Sequence, residues 1–396
     1  GEQRRARRTI PPDHDLIITS VVRDTAPRRG NRDNESSEAK LLDASGETFF
    51  LSQPTSGLLL PEILRSYNPH AEYVTFQDLF RRPGTPAQAT FFCTYILDME
   101  WLYGELMAAG VANIKTVVIV DRANYDSNVR APGNWVVAPA PNARDEKQHA
   151  KLFMVNFGEV LRVVVSSANL TSVDWGSLLQ VLWVQDFPLR SKRDEPPPPS
   201  PFGTTLEMLL SRLSAPVPVQ KSITRYELSA ARAQLVVSMP GVHSRTDDPV
   251  CGLFGLHKAV VQNFLEGGDK APTSPPEPLP GAAERPVLYC QSSSLGSLPR
   301  PWLRSLASCS IGVDPLHYRG RTPPASCNAA DSFLPEIRVV YPTVRTANSW
   351  PESTPRGFLC LAERFTKRSG FPLNSFMDVF PPGPDWSPIY CPPILH

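Results

Sequence analysis

The residues best suited to chemistry in this chain are His149, Lys151 and Asn169, which lie within the stretch HAKLFMVNFGEVLRVVVSSANLTSVDWG. An imidazole, an ammonium and a carboxamide that converge on one point make a metal-free phosphate site. The cation and the amide donors stabilise the oxygens, and the imidazole can attack phosphorus. His149 and Lys151 stand at i and i+2, so on an extended strand they project to the same side. Asn169 follows His149 by twenty residues and must be carried back by a loop to meet them. A strand-end histidine bonded to a turn would share this spacing, so the residues alone leave both readings open. Other catalytic signatures are missing: there is no Gly-x-x-x-x-Gly-Lys, Gly-x-Gly-x-x-Gly, Gly-x-Ser-x-Gly or His-Glu-x-x-His.

The elements that must position these groups are legible around them. A strand over Lys151 to Val155, a turn Asn156-Phe157-Gly158-Glu159 and a strand Leu161 to Val165 read as a hairpin, followed by a further apolar run from Leu178 to Val184. Upstream, Phe91 to Gly110 predicts a strand running into a helix, and the β-branched run Lys115 to Val120 predicts a buried strand. Downstream, the pattern predicts helices near Thr204 to Leu213 and Phe254 to Phe264. Strands are expected at Gln234 to Val237, Pro286 to Cys290 and Ile337 to Tyr341, with a proline-rich loop over Pro272 to Pro286. Strands and helices mix in both halves, which predicts an α/β architecture.

The chain has 396 residues with 43 Pro, 41% hydrophobic residues and a net charge of +1 from 40 Lys and Arg against 39 Asp and Glu. The apolar content is too high for a wholly disordered chain, and the near-zero charge argues against a histone-like binder while allowing a local basic groove. The expected division is a polar arm over 1–45, a first domain over 46–190, a proline-rich linker over 191–203 containing Pro196 to Pro199, and a second domain over 204–396. No apolar stretch nears the roughly 20 residues of a membrane span, so a soluble, non-secreted protein is expected. Arg4, Arg5, Arg7 and Arg8 read either as a nuclear-import signal or as a solvated terminus. Seven scattered cysteines without a Cys-x-x-Cys pair predict free thiols rather than disulfides or a zinc site.

The span His149 to Gln180 resembles the first active-site motif of the tyrosyl-DNA phosphodiesterase family, a branch of the phospholipase D superfamily. It has His-x-Lys, Leu161-Arg162-Val163-Val164, Ser167-x-Asn169-Leu170, Asp174-Trp175 and Gln180 in order. General phospholipases D carry Asp five residues after the Lys; this chain has Asn156 there and the later Asn169, which is the tyrosyl-DNA pattern. The likeness continues through Val237 to Gly241, Gln291 to Leu298 and Val340 to Val344. Upstream it includes Thr75 to Phe80 and Asp98 to Leu102.

The resemblance implies two pseudo-symmetric α/β halves with mixed sheets flanked by helices, and a DNA-repair phosphodiesterase that cleaves 3′-phosphotyrosyl links. It implies His149 as nucleophile, Lys151 and Asn169 as phosphate partners, Gln180 in support, and Ser293 and Ser294 on the DNA backbone. It implies no metal and no cofactor. The partners it implies are single-stranded or nicked DNA 3′ ends bearing a tyrosyl peptide, met by a nuclear monomer without a membrane. The family's second His-x-Lys is the departure, since His149 alone among the seven histidines has Lys two positions on. His396 arrives where the second histidine, the general acid, is expected. The expectation is therefore a chain that continues past His396 in its native form, the alternative being a catalytically incomplete DNA-end-binding relative. Another phosphodiesterase of the superfamily is a further alternative.

Overall fold

A computed structural model describes residues 49–53, 72–143, 145–191, 200–244, 250–264, 287–292, 294–295, 299–316, 334–349, 359–361, 363–367 and 373–377. The arm over 1–45, the proline-rich loop at 272–286, Pro196 to Pro199, Ser293 and His396 lie outside these residues.

The first part of the chain runs β1 (Phe49–Ser52), β2 (Tyr73–Val74), β3 (Ala89–Thr94), α1 (Met99–Ala108), β4 (Lys115–Val120), β5 (Trp135–Pro139), β6 (Leu152–Asn156), β7 (Val160–Ser166), α2 (Ser172–Gly176) and β8 (Val181–Pro188). These strands form one eight-stranded sheet of order β2-β1-β8-β7-β6-β3-β4-β5. β3, β4 and β5 are mutually parallel, whereas β6, β7 and β8 form an antiparallel meander joined antiparallel to β3. The strand-to-helix reading of Phe91 to Gly110 and the strand Lys115 to Val120 match the structure. Asp98 caps α1 by accepting the Trp101 N–H at 3.0 Å. The helix stops at Gly110, whose φ of +75° suits the turn that bonds Val111 N–H back to the Leu106 carbonyl at 2.8 Å.

Side chains alternate between two cores. Phe92, Phe153, Val155, Val164 and Leu182 face a layer made of Phe76, Phe80, Leu102, Leu106 and Trp175. Phe91, Cys93, Leu152, Met154, Leu161 and Val163 face the helices that follow, α3 (Pro201–Arg212) and α4 (Val217–Ile223). Both faces being covered, β6 and β7 read as nearly continuous apolar runs rather than alternating ones. Ser200 caps α3 through the Gly203 N–H at 3.0 Å, and Phe202, Leu206, Leu209, Leu210 and Leu213 form its buried stripe. α3 and α4 thus pack on the large sheet, although the expected second domain over 204–396 contains them.

In the later region α5 (Gly252–Phe264) packs on α6 (Arg300–Ser310) through Leu256, Val260, Leu306 and Cys309. His257 sits within α5, as expected, with Nε2 at 3.1 Å from the Gly312 carbonyl. β9 (Val287–Gln291), β11 (Glu336–Val340) and β13 (Phe376–Met377) make a three-stranded parallel sheet, and β10 (Ser294–Leu295) pairs with β12 (Cys360–Leu361). The strand expected at Gln234 to Val237 does not form. Val237 makes an isolated bridge to Cys251 and enters the core beneath α3, and Pro240 follows too closely for a ladder to extend. Cys93, Cys251, Cys290 and Cys309 are free thiols.

One buried ion pair ties the meander to the turn that precedes β3. Arg162 and Asp186 are register partners on β7 and β8, joined by Nε–Oδ1 at 2.7 Å and Nη2–Oδ2 at 2.9 Å. The same guanidinium donates to the Leu79 and Arg81 carbonyls at 3.0 and 3.2 Å, and it is 1% exposed. Asp186 also pairs with Arg82 at 2.7 Å, so removing Asp186 leaves the buried Arg162 guanidinium without its carboxylate. Asp186→Ala should therefore lower unfolding stability by about 3–5 kcal/mol in a urea titration. A loss under about 1 kcal/mol would contradict this role.

Candidate active site

Three strand ends meet at one edge of the large sheet. β3 and β4 finish there, β6 begins there, and β7 ends beside it with Ser166 N–H bonded to the Lys151 carbonyl at 3.0 Å. From Ser166 the chain passes over the start of β6 and docks on the β3–α1 connection. Leu170 N–H reaches the Ile96 carbonyl at 3.3 Å, and Asp98 N–H reaches the Leu170 carbonyl at 2.8 Å. This loop is the return that Asn169 required. It forms because Thr94, Ile96 and Asp98 offer backbone and hydroxyl partners where the β3 ladder stops.

His149 and Lys151 meet directly, with Nζ at 3.0 Å from Nδ1 and 3.4 Å from Nε2. The Tyr95 ring packs on the imidazole with centroids 4.5 Å apart, and the Lys151 ammonium lies 5.9 Å from the Tyr95 centroid. Lys151 is 1% exposed, and burial pulls its amine down to about 7, opposed by the negative charge of Asp174. Burial likewise pushes the adjacent Cys93 thiol up to about 12, so it stays neutral. Gln148 anchors the approach to His149: its N–H donates to Asp121 at 2.7 Å and its Nε2 to Cys93 Sγ at 3.2 Å.

Asn169 is held at several points. Its N–H donates to Asp174 Oδ2 at 2.5 Å, its carbonyl accepts from Trp175 Nε1 at 3.0 Å, and its Oδ1 accepts from Ile96 N–H at 3.1 Å. Burial raises the Asp174 carboxyl, while the hydrogen bonds from Asn169 and the charge of Lys151 draw it back. Thus Asp174 holds the Asn169 main chain, and its negative charge acts on the Lys151 amine. Gln180 is buried on the same edge, with Oε1 accepting from Ser167 Oγ at 2.6 Å and its N–H donating to Ser52 Oγ at 2.8 Å. Its Nε2 has no hydrogen-bond partner among the described residues.

The structure does not bring every expected residue here. Ser294 begins β10 in the later region, while Ser293 and His396 lie outside the described residues. Asn156 sits at the far end of β6, about 16 Å from Lys151 at 3.3 Å per residue. There its Oδ1 accepts from Gly158 N–H at 2.6 Å and from the Tyr226 hydroxyl at 3.0 Å, so it shapes the hairpin turn. Trp175 lies in the core. Sequence reasoning missed Tyr95 and the work of Asp174. The second had a signal: Thr171-x-x-Asp174 is a capping-box spacing, and Thr171 Oγ1 does accept the Asp174 N–H at 3.2 Å. The carboxylate turns to Asn169 instead of completing the box.

The sequence profile described as tyrosyl-DNA phosphodiesterase matches residues 60–371, most of the chain. The chain belongs to the tyrosyl-DNA phosphodiesterase family. Tyrosyl-DNA phosphodiesterase 1 of Arabidopsis thaliana is 29% identical over 244 residues, which span 57% of this chain and 38% of that relative. The chain therefore matches well under half the length of this curated relative. The crystal structure of yeast tyrosyl-DNA phosphodiesterase superposes with a TM-score of 0.55 at 14% identity, covering 81% of this chain and 70% of that one. A mutant of the yeast protein gives 0.54 at 15% identity, covering 79% and 68%. At these identities the likeness carries the fold, which agrees with the α/β architecture expected for the superfamily.

The buried amine has a testable effect on stability. Its folded value near 7 lies below the unfolded 10.5, so the folded state binds fewer protons between those limits and stability rises with pH across them. Lys151→Met should raise the urea midpoint at pH 6, with the advantage shrinking as pH rises through that window. A midpoint lowered at pH 6 would show that the charged amine stabilises the fold.

Proposed function

We propose that the chain is a hydrolase acting on phosphodiester bonds at DNA 3′ ends, with a 3′-phosphotyrosyl link between DNA and a trapped topoisomerase peptide as substrate. The observation that carries the reading is the 3.0 Å contact between His149 and Lys151 beneath the loop that bears Asn169, in a chain of this family. The amine and the imidazole partner each other. A phosphate oxygen takes over the ammonium, and a ring nitrogen of His149 is then available to phosphorus. Attack forms the N–P bond and breaks the P–O bond to the tyrosine, whose phenolate takes a proton as it leaves. Water then attacks phosphorus, the N–P bond breaks, and DNA with a 3′-phosphate is released with His149 restored.

A phenol of pKa about 10 leaves more readily than an alcohol, yet near neutral pH it gains from a general acid. His396 is the residue proposed for that acid. Lys151 and the Asn169 amide bind the non-bridging oxygens, Gln180 supports them, and Ser293 and Ser294 hold the DNA backbone. A nuclear site of action is proposed on the Arg4 to Arg8 cluster, with single-stranded or nicked DNA as partner and a monomer as the acting form. Among the described residues no helix is long and apolar enough to cross a membrane.

The test uses a 5′-labelled oligonucleotide with a 3′-phosphotyrosyl end. The chain should form an acid-labile, alkali-stable adduct with DNA, and His149→Ala should form none; an adduct that survives this change would place the nucleophile elsewhere. Phosphatidylcholine should give no product, and its cleavage in preference to the oligonucleotide would favour a lipid phosphodiesterase.

A further inference from the structure

Asp121 follows the last residue of β4, is fully buried, and joins four segments beside the candidate site. Its N–H donates to the Thr94 carbonyl at 3.1 Å, which ties it to the end of β3. One carboxylate oxygen accepts the Ala123 N–H at 2.9 Å; the other accepts the Gln148 N–H at 2.7 Å and Asn142 Nδ2 at 3.2 Å. With N–H donors on both oxygens, the carboxylate acts purely as an acceptor, and its shortest bond goes to the residue before His149. Asn142 Nδ2 also donates to the Ala143 and Glu146 carbonyls at 3.1 and 2.9 Å, so the same clamp folds the turn that leads into Gln148. β6 begins only at Leu152, so the ladder does not reach His149 and the hold on Gln148 comes from Asp121 and Cys93.

A second route reaches the same imidazole. The turn that Asp121 opens carries Asn124, whose N–H donates to the Asp121 carbonyl at 3.0 Å and whose Nδ2 donates to the Tyr95 carbonyl at 2.9 Å. Tyr95 packs its ring on the imidazole, with centroids 4.5 Å apart. Gln148 therefore fixes where the His149 side chain starts, and Tyr95 limits where it can turn.

We propose that Asp121 is a positioning residue for His149: its buried carboxylate sets the backbone behind the imidazole through Gln148 and, through the turn bearing Asn124, the ring packed against it. It acts through these residues rather than by touching substrate. For its chemistry the inference rests on the phosphodiester reading above, but its geometric half is measurable without turnover.

The readout is the His149 Cε1–H resonance in 1H–13C NMR spectra of the whole chain, assigned by its loss in His149→Ala and recorded at about pH 9, where an imidazole is neutral. Tyr95→Leu gives the position of that resonance without the aromatic ring current. Asp121→Asn keeps the side-chain shape but turns an NH2 group against either the Gln148 N–H and the Asn142 amide or the Ala123 N–H. It should move the resonance toward the Tyr95→Leu position. The same variant should slow adduct formation at saturating 3′-phosphotyrosyl oligonucleotide by about 10²-fold, the scale of a misplacement of about 1 Å, with affinity for the oligonucleotide unchanged. Tyr226→Phe removes hydrogen bonds at the far end of β6; it should lower the melting temperature yet leave both the resonance and the rate in place. An unmoved resonance in Asp121→Asn overturns the proposal, as does an equal displacement in Tyr226→Phe or a loss carried wholly by affinity. If Asp121→Asn does not fold, Asn142→Ala replaces it: with one donor of the clamp gone the resonance should move in the same direction, and an unmoved resonance overturns the proposal. A wild-type chain that forms no adduct defeats the phosphodiester reading, while the resonance still decides the role of Asp121.

Discussion

Lys151 continues a row of core positions along β6, and the face on which it emerges governs the rest of the site. Phe153 and Val155 enter the core shared with Trp175, whereas Leu152 and Met154 enter the opposite core beneath α3. Lys151 has the parity of Phe153, which turns its amine toward α2 and Asp174. A slip of one residue would send the ammonium into the apolar layer under α3. The register is pinned from the far end of the hairpin. Gly158 adopts φ of +85°, and a side chain there would run into Gln88, so the turn admits little else. Arg162 and Asp186 then lock β7 to β8 by a geometry that a slipped pairing would break. Contacts about 16 Å away from Lys151 thus decide which side of the sheet carries the cation.

At the opposite end of the strands order comes from loops, because the ladders stop there. The segment from Ser166 to Leu170 exchanges hydrogen bonds with the β3–α1 connection and with the start of β8, and α2 clamps Asn169 through Asp174 and Trp175. Polar atoms buried at this edge are nearly all paired. Among the described residues the exceptions in the chain are Gln148 Oε1, Gln180 Nε2 and Trp183 Nε1, of which the first two belong to residues that flank or share the site's edge. Interiors shaped by stability alone leave few such atoms, and sites are where the rule is usually broken. The same tension appears in Lys151, whose amine is buried at a loss that Asp174 offsets only in part.

Much of this was readable from the residues. The hairpin from Lys151 to Val165 was legible because its turn residues and β-branched runs agree with the pairing they adopt. The stripe of α3 was legible for the same reason: propensity, cap and apolar spacing agree. Gln234 to Val237 misled because its apolar residues are divided between two cores, Val237 beneath α3 and Val236 against α5, so burial arises without a ladder. The helix α3 returns to the large sheet, which is long-range packing and leaves no local trace in the sequence. Within the site, His149 and Lys151 were given by their spacing, and Asn169 by resemblance. Tyr95 was not, because it meets His149 from a segment distant in the chain, and the capping-box spacing of Asp174 gave no sign that its carboxylate turns to Asn169.

On the proposed reading the contact between Lys151 and His149 contains a latent coupling. An ammonium near neutrality and an imidazole in mutual contact share one proton between competing uses. An anionic phosphate favours the protonated amine, since opposite charges raise an amine's affinity for its proton. The same event draws the amine away from the imidazole and turns the charge of Lys151 to the phosphate. Binding and activation are then one step, driven by the charge of the substrate. A neutral ligand of the same shape could not drive it, because it would leave the amine on the imidazole. In this arrangement Asp174 has to be close enough to hold the amine partly charged, yet not so close that the amine prefers it to the phosphate. Engaging the Asn169 main chain through that carboxylate meets both demands, because the hydrogen bond it accepts spreads the negative charge that Lys151 faces.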